Sequence, residues 1–311
     1  MFDDAEIAAT RDDTAGVTQF LANMLNPLPK FHEQTVEEAR AGIPGLPEPE
    51  VLAHGVTRSI PGPGGDIDLR IFAPENPVGI YLHIHGGGWV IGSALTADVK
   101  LDAIASGANV VVVSVEYRLA PEHPFPAPNE DCEAAALWVL ANAESEWGLA
   151  GDMVIGGESA GGHLVADTAL RLRDSHGAID QVRGLNLVYG VFDLSMTPSQ
   201  THGTDLLLIP TDTMKWFYGH YLQGDEDPKS PAVSPLYADV SDMPPALFSV
   251  GTNDPLVDDS LFMARRWELA GNQTTLNVYP GAVHGFTVLP GEAGLLANQR
   301  GTEFIAGCFG G

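Results

Sequence analysis

Ser159 lies in a segment whose residue types suit covalent catalysis. Residues 157–161 read Gly-Glu-Ser-Ala-Gly, between the apolar run 153–155 and a stretch with helical character. A serine between two glycines at a sharp strand-to-helix turn is a nucleophile elbow, because glycine lets the backbone crowd closely and so exposes the hydroxyl. The free N–H groups of the first helical turn can receive a developing negative charge. The segment therefore predicts acyl transfer through a serine nucleophile.

Three consecutive glycines upstream suit the stabilisation of a charged intermediate. Residues 85–89 read His-Gly-Gly-Gly-Trp and follow the strand-like run 78–82. Glycines after a strand leave backbone N–H groups uncovered, and in acyl transfer such donors form an oxyanion hole. We predict that the N–H groups of Gly87, Gly88 and Ala160 form this hole. The alternative is an ordinary glycine turn.

A carboxylate follows a later strand in the position that would orient a catalytic base. Asp254 comes just after the apolar run 246–250, which is typical of a buried strand. An acid just past a strand end should lie at the same edge of the sheet as the elbow. We therefore predict that Asp254 is the orienting acid. Asp258 and Asp259 are expected to cap the next helix, where carboxylates in the first turn are favoured.

One of the ten histidines is placed to act as the base. His284 follows the short strand-like run 275–278 and lies in a loop beside a glycine. It alone comes some thirty residues after the acid. The order serine, aspartate, histidine is the order found in α/β-hydrolases. The predicted catalytic residues are therefore Ser159, Asp254 and His284.

Together these segments resemble the hormone-sensitive-lipase-like family, or family IV, of bacterial α/β-hydrolase esterases over roughly residues 50–310. Beyond the elbow and the glycine triplet, the resemblance rests on the motifs at 116–127, 234–236, 254–259 and 284–286. The chain departs from the family pattern at Glu158, where Asp or Thr is usual, and at Glu116, where Asp is usual. The resemblance implies a carboxylesterase that prefers short acyl chains and uses neither a metal nor an organic cofactor.

Other functions share this pattern of residues. An amidase or a lipase for long acyl chains would use the same triad, and it would differ in leaving group or pocket depth, which the sequence does not give. A non-catalytic small-molecule receptor on the same fold, as in the plant gibberellin receptors, lacks the histidine. The presence of His284 argues against a receptor.

The order of predicted elements defines the architecture. From residue 78 onward strands alternate with helical segments, which predicts an α/β fold: a mainly parallel sheet of about eight strands, helices on both faces and a helical cap. Residues 51–59 and 67–72 flank a Pro-Gly-rich turn and predict a hairpin. The predicted division is a cap segment at 1–50, the hydrolase core at 51–190, a second cap segment at 191–240 and the core again at 241–311.

The second cap segment is rich in aromatic side chains. We interpret it as a lid over Ser159 that lines the acyl pocket, and the alternative is ordinary packing of an inserted helix pair. The predicted substrate-binding residues are Trp89, Glu158, Tyr189, Trp216, Phe217 and Phe286. Next to the β-branched run 109–115, we predict that Arg118, Glu122 and Glu116 form an ion-pair network that braces the site.

Composition limits the partners. Asp and Glu number 41 against 15 Lys and Arg, a net charge of −26, so the surface repels nucleic acid and anionic lipid. No stretch of 18 apolar residues predicts a membrane span, and the acidic N-terminus does not resemble a signal peptide. Two distant cysteines are expected to be free thiols, which suits the cytoplasm. There is no zinc-ligand spacing and no dinucleotide or phosphate loop, so we expect a small-molecule ester as partner, while a homodimer stays open.

Overall fold

The computed structural model describes residues 4–42, 49–203 and 207–310. Its strands are β1 (Val56–Gly62), β2 (Gly65–Phe72), β3 (Ile80–Ile84), β4 (Val111–Glu116), β5 (Met153–Glu158), β6 (Val182–Val188), β7 (Ala246–Asn253) and β8 (Thr274–Val283). Within the described residues they form one sheet in the order β1-β2-β4-β3-β5-β6-β7-β8. β2 is antiparallel to β1, as the predicted hairpin requires, and to β4, and the other neighbours are parallel. The prediction of a mainly parallel sheet of about eight strands is confirmed.

The helices cover both faces of this sheet. The α-helices of the described ranges are α1 (Asp4–Leu25), α2 (Val36–Arg40), α3 (Asp98–Ala108), α4 (Ala127–Trp147), α5 (Ala160–His176), α6 (Pro198–Thr201), α7 (Thr211–Tyr221), α8 (Val257–Leu269) and α9 (Glu292–Gly307). One core cluster joins the sheet to α4, α5 and α8, and a second joins it to α3 and α9. The predicted α/β fold with helices on both faces is therefore confirmed.

The buried strands alternate between these two clusters. Val111, Val113 and Val115 of β4 belong to the first cluster, whereas Val112 belongs to the second. Successive side chains of a strand point to opposite faces, so a strand covered on both sides is apolar at most successive positions. The β-branched run in the sequence thus places β4 in the middle of the sheet, beside β3.

Two segments outside the sheet contact each other above its carboxyl edge. The Phe31 ring lies 5.5 Å from that of Phe217 on α7, between ring centroids, and His32 Nδ1 lies 2.9 Å from the Thr213 hydroxyl. These contacts support, as a proposal, a cap that joins the N-terminal segment to residues 191–240. Residues 1–3 and 43–48 of the first predicted segment, and residues 204–206 of the second, lie outside the described ranges.

The predicted ion-pair network of Arg118, Glu122 and Glu116 is wrong, because each has another partner. Arg118 binds Asp131, which α4 brings back towards the end of β4. Glu122 accepts two hydrogen bonds from Arg40 on α2, at 2.7 and 2.8 Å. Glu116 instead accepts from the backbone N–H of residue 94. The segment therefore connects α2 and α4 to the sheet edge, and its three charged side chains do not pair with one another.

Other expectations concern the thiols and the membrane. Cys132 and Cys308 have free thiols, and burial raises the pKa of Cys132 well above its usual range and that of Cys308 to about 11. In the described part of the chain, no helix combines the length and the apolarity needed to cross a membrane.

Candidate active site

Ser159 lies at the sharp turn between β5 and α5. Its φ of +56° and ψ of −121° are unusual for a residue with a side chain, as expected for a nucleophile elbow. The turn presses against the end of β3: a Cβ on Gly157 would lie 2.3 Å from the Ile84 carbonyl oxygen, and one on Gly161 would lie 2.1 Å from it. Both glycines are therefore required by close backbone approach, which explains the Gly-x-Ser-x-Gly pattern.

The structure brings the three predicted catalytic side chains together. His284 Nε2 lies 3.0 Å from the Ser159 Oγ, and His284 Nδ1 lies 2.9 Å from Asp254 Oδ2. The other oxygen of Asp254 accepts a hydrogen bond from the backbone N–H of Leu256 at 2.8 Å. A carboxylate only accepts, so Nδ1 carries the proton and the Nε2 lone pair faces the serine hydroxyl. This arrangement can withdraw a proton from Ser159.

The sheet topology explains this meeting of residues distant in sequence. Ser159 follows β5, Asp254 follows β7 and His284 follows β8, and these parallel strands end at one edge of the sheet. Asp254 is 2% exposed and His284 is 9% exposed, so both side chains are largely removed from bulk water. The Tyr189 ring, just past the end of β6, lies edge-on to the imidazole with centroids 4.8 Å apart.

The glycine triplet lies beside the elbow. A Cβ on Gly86 would lie 2.8 Å from the Glu158 carbonyl oxygen and 3.4 Å from the Ser159 Cβ. Gly87 and Gly88 have φ values of +110° and +59°, which favour glycine. Within the described residues the N–H groups of Gly87 and Gly88 have no hydrogen-bond acceptor. They are thus available to a ligand next to Ser159.

Some of the predicted substrate-binding residues surround this edge. The Phe217 ring lies directly over Gly88, where an added Cβ would come within 2.2 Å of it. The half-buried Trp216 packs its ring on Phe217, with centroids 5.0 Å apart. Beside the histidine, Phe286 contacts the Tyr189 ring at 5.7 Å between centroids. The sequence did not indicate Phe31, whose contact with Phe217 comes from the cap.

Two other predicted substrate-binding residues have partners elsewhere. Trp89 is 1% exposed, and its indole N–H donates to His163 Nδ1 at 3.2 Å while its ring stacks on Tyr221 at 4.3 Å. The Glu158 carboxylate accepts from Lys100 and His83. These contacts give no support to a role for Trp89 or Glu158 in binding substrate.

The expectation that Asp258 and Asp259 cap a helix is also wrong. Both lie in the first turn of α8, but no side chain caps that helix. Asp259 is fully buried and accepts from the backbone N–H groups of Phe192 and Asp193 and from two side chains, those of Thr197 and Gln200. Burial raises the pKa of Asp259 to about 7, although each of these four hydrogen bonds lowers it. Asp259 thus fastens the start of the second cap segment to α8.

Asp259→Ala should lower the free energy of unfolding by on the order of 3 kcal/mol, because a buried N–H group without a partner costs about 1–3 kcal/mol. Denaturant unfolding would measure the loss. Asp258→Ala is the matched control, since this half-buried carboxylate accepts one hydrogen bond, from the Ser199 N–H. Equal losses in the two variants would contradict the anchoring role of Asp259.

Comparison with known proteins agrees with this geometry. Residues 81–288 match a protein family that is described as having the α/β-hydrolase fold. The carboxylic ester hydrolase LipN of Mycobacterium tuberculosis is 35% identical over 79% of this chain and 68% of its own length. The carboxylesterase NlhH of the same organism is 35% identical over 85% of this chain and 89% of its own. A hyperthermophilic esterase from the archaeon Pyrobaculum calidifontis has a TM-score of 0.83 at 31% identity, covering 94% of this chain and 97% of that one.

The chain belongs to the α/β-hydrolase family, and within it to the hormone-sensitive-lipase-like esterases. It is a carboxylic ester hydrolase. The predicted family is therefore confirmed.

Proposed function

We propose that this enzyme hydrolyses short-chain acyl esters through a Ser159–His284–Asp254 triad and an acyl-enzyme intermediate. The observation that carries the proposal is the continuous hydrogen-bonded chain from Asp254 through His284 to the Ser159 hydroxyl. A non-catalytic receptor needs no such chain. The substrate is accordingly a small-molecule ester, and the proposed chemistry runs on side chains and backbone groups alone.

The reaction follows from the orientation of the imidazole. Ser159 Oγ attacks the ester carbonyl while His284 Nε2 takes its proton, and the imidazolium then gives that proton to the leaving alcohol. Asp254 fixes the tautomer and stabilises the imidazolium charge. Water subsequently attacks the acyl-enzyme with His284 again as base, which releases the acid and restores the serine.

The negative charge of each tetrahedral intermediate would be held by backbone donors. We assign this role to the N–H groups of Gly87, Gly88 and Ala160. The first two lack acceptors in the described residues, and the third begins α5, where the helix leaves N–H groups unpaired. Such donors are fixed before the reaction and therefore stabilise charge without reorganisation.

The short-chain preference is attributed to Phe217. Its ring closes the space above Gly88 and is held in place by Phe31. Each extra methylene would add about 0.8 kcal/mol of burial if there were room. We therefore expect a maximum rate with acetyl to hexanoyl esters, set by steric closure. A maximum at twelve or more carbons, with activation at an oil interface, would indicate a lipase instead.

Phe217→Ala should shift the acyl-chain profile towards longer esters by a few carbons, because it removes the ring above the glycine triplet. Since about 0.8 kcal/mol per methylene is roughly fourfold, the octanoyl-to-acetyl ratio of kcat/KM should rise on the order of tenfold. A series of chromogenic esters would measure the ratio. Trp216→Ala, which removes the half-buried neighbouring ring, should change it less. An unchanged ratio in Phe217→Ala would contradict the assignment of the pocket wall.

A further inference from the structure

The side chain of Glu158, one residue before the nucleophile, lies in an ion pair outside the proposed triad. Lys100 Nζ on α3 donates to Glu158 Oε1, and His83 on β3 lies 3.0 Å from Oε2 through its Nε2. Lys100 is 20% exposed and Glu158 is 13% exposed. The pair is thus largely removed from water. Charges in such a partly buried position interact more strongly than charges on the exposed surface.

His83 contributes no charge to this cluster. It is fully buried, and its Nδ1 lies 2.9 Å from the Ser114 hydroxyl. Burial and the charge of Lys100 keep the pKa of His83 well below its usual range, so the ring is neutral. Because Glu158 only accepts, Nε2 carries the proton, and Nδ1 accepts from Ser114. The cluster then holds one negative and one positive charge.

Among the described residues, Lys100 and the neutral His83 are the side chains that bind the Glu158 carboxylate, so no second cation pairs with it. A small cavity of about 20 Å³ adjoins the Lys100 side chain. The described residues that line it from β6, β7 and α9 are uncharged, and the polar ones include Asn186, Ser249, Asn298 and Thr302. Loss of the Lys100 charge would therefore leave the Glu158 carboxylate uncompensated next to Ser159.

We propose that Lys100 is a positioning residue that keeps the nucleophile elbow electrically neutral by compensating the Glu158 carboxylate. It acts through Glu158 and does not touch the substrate. An uncompensated carboxylate would favour the imidazolium form of His284, which cannot accept the serine proton, and would oppose the oxyanion at the Ala160 N–H. This inference rests on the proposed triad.

The compensation has a defined pH range. Burial lowers the pKa of Lys100 to about 8, so the lysine is charged, and the elbow neutral, below that pH. Among the described residues, the titratable groups packed around the pair include His83, which binds Glu158, and Tyr81, whose ring lies 6.2 Å from that of His83 between centroids. Asp254 and Tyr189 contact His284. Measurements below pH 8 therefore report the charged form of Lys100.

The test is the pH dependence of inactivation by an organophosphonate, which reports the reactivity of the serine without substrate turnover. In Lys100→Met the acid limb should move to higher pH by on the order of one unit, the effect of a unit charge about 10 Å away at an effective dielectric constant of about 20. In the double variant Lys100→Met/Glu158→Gln, which removes both charges, the limb should return to the wild-type position.

Controls separate charge from structure. Lys100→Arg keeps the charge and should keep the wild-type profile, and the melting temperature of each variant shows that it folds. If Lys100→Met does not fold, Lys100→Gln replaces it, because glutamine can still donate to Glu158. The inference would be overturned if the acid limb of the pH profile did not move in Lys100→Met. It would also be overturned if the limb moved as far in the double variant Lys100→Met/Glu158→Gln as in Lys100→Met. Inactivation of the wild type at Ser159 would stand in either case, so the proposed triad is tested separately.

Discussion

Replacing Ser159 by alanine should lower kcat on the order of 10⁶-fold, as loss of the nucleophile does in a serine protease. The expectation follows from the position of Ser159 at the elbow and from its 3.0 Å contact with His284 Nε2. The substitution removes only the hydroxyl of Ser159 and leaves the surrounding side chains in place, so the melting temperature should change little. Initial rates with a short-chain chromogenic ester, together with thermal unfolding, would measure both.

The control for this experiment is a serine outside the proposed site. Ser145 lies on α4, and its exposed hydroxyl donates to the carbonyl of Asn142 in the same helix. Ser145→Ala should retain most of the activity. A folded Ser159→Ala variant with more than about one hundredth of the wild-type kcat would show that the nucleophile has been misassigned.

Asp254→Asn should lower kcat about 10⁴-fold, the size of the corresponding loss in a serine protease. An amide at this position can donate as well as accept, so the imidazole can adopt the tautomer with its proton on Nε2. That proton would face Ser159 and prevent His284 from acting as a base. Steady-state kinetics at the pH optimum of the wild type would measure the loss.

Asp258→Asn is the matched control, because it makes the same chemical change four residues later. Its carboxylate binds the Ser199 N–H and not the imidazole, so we expect less than about a tenfold loss. If Asp258→Asn proves more damaging than Asp254→Asn, the acid of the triad is not Asp254.

The sequence was sufficient to predict the elements that position the site. The valine-rich run of β4 specifies a strand buried on both faces, and the alternation of strands with helices specifies a parallel sheet. The carboxyl ends of parallel strands share one edge, so residues just past β5, β7 and β8 had to meet there. The meeting of these residues depends only on the order of the strands and on their parallel arrangement, and both can be predicted from a single sequence.

The partners of buried charges could not be predicted in the same way. Arg118 binds Asp131, and Glu122 binds Arg40, 82 residues away in the sequence. Asp259 binds backbone N–H groups from a segment more than sixty residues upstream. Such contacts depend on how the cap and the helices dock and on the direction in which each side chain leaves its backbone, and no local spacing encodes either.

The pocket shows the same limit at the level of single side chains. The sequence predicts Phe217 as a substrate-binding residue from the aromatic-rich second cap segment, and Trp89 from the glycine triplet that it follows. One ring lies over Gly88, and the other points into the core, where it stacks on Tyr221 and donates to His163. Trp89 has a positive φ of +61°, which sets the direction of its side chain. This conformation is uncommon for a residue other than glycine, and the residue type does not predict it.

The most direct test of the central claim is mass spectrometry of the intact enzyme after reaction with an organophosphonate, followed by peptide mapping. We expect one phosphonyl adduct per chain, on the peptide that contains Ser159, together with loss of esterase activity in proportion to labelling. The Ser159→Ala variant should acquire no adduct. Stoichiometric labelling of any other residue, or full activity in the labelled enzyme, would contradict Ser159 as the nucleophile.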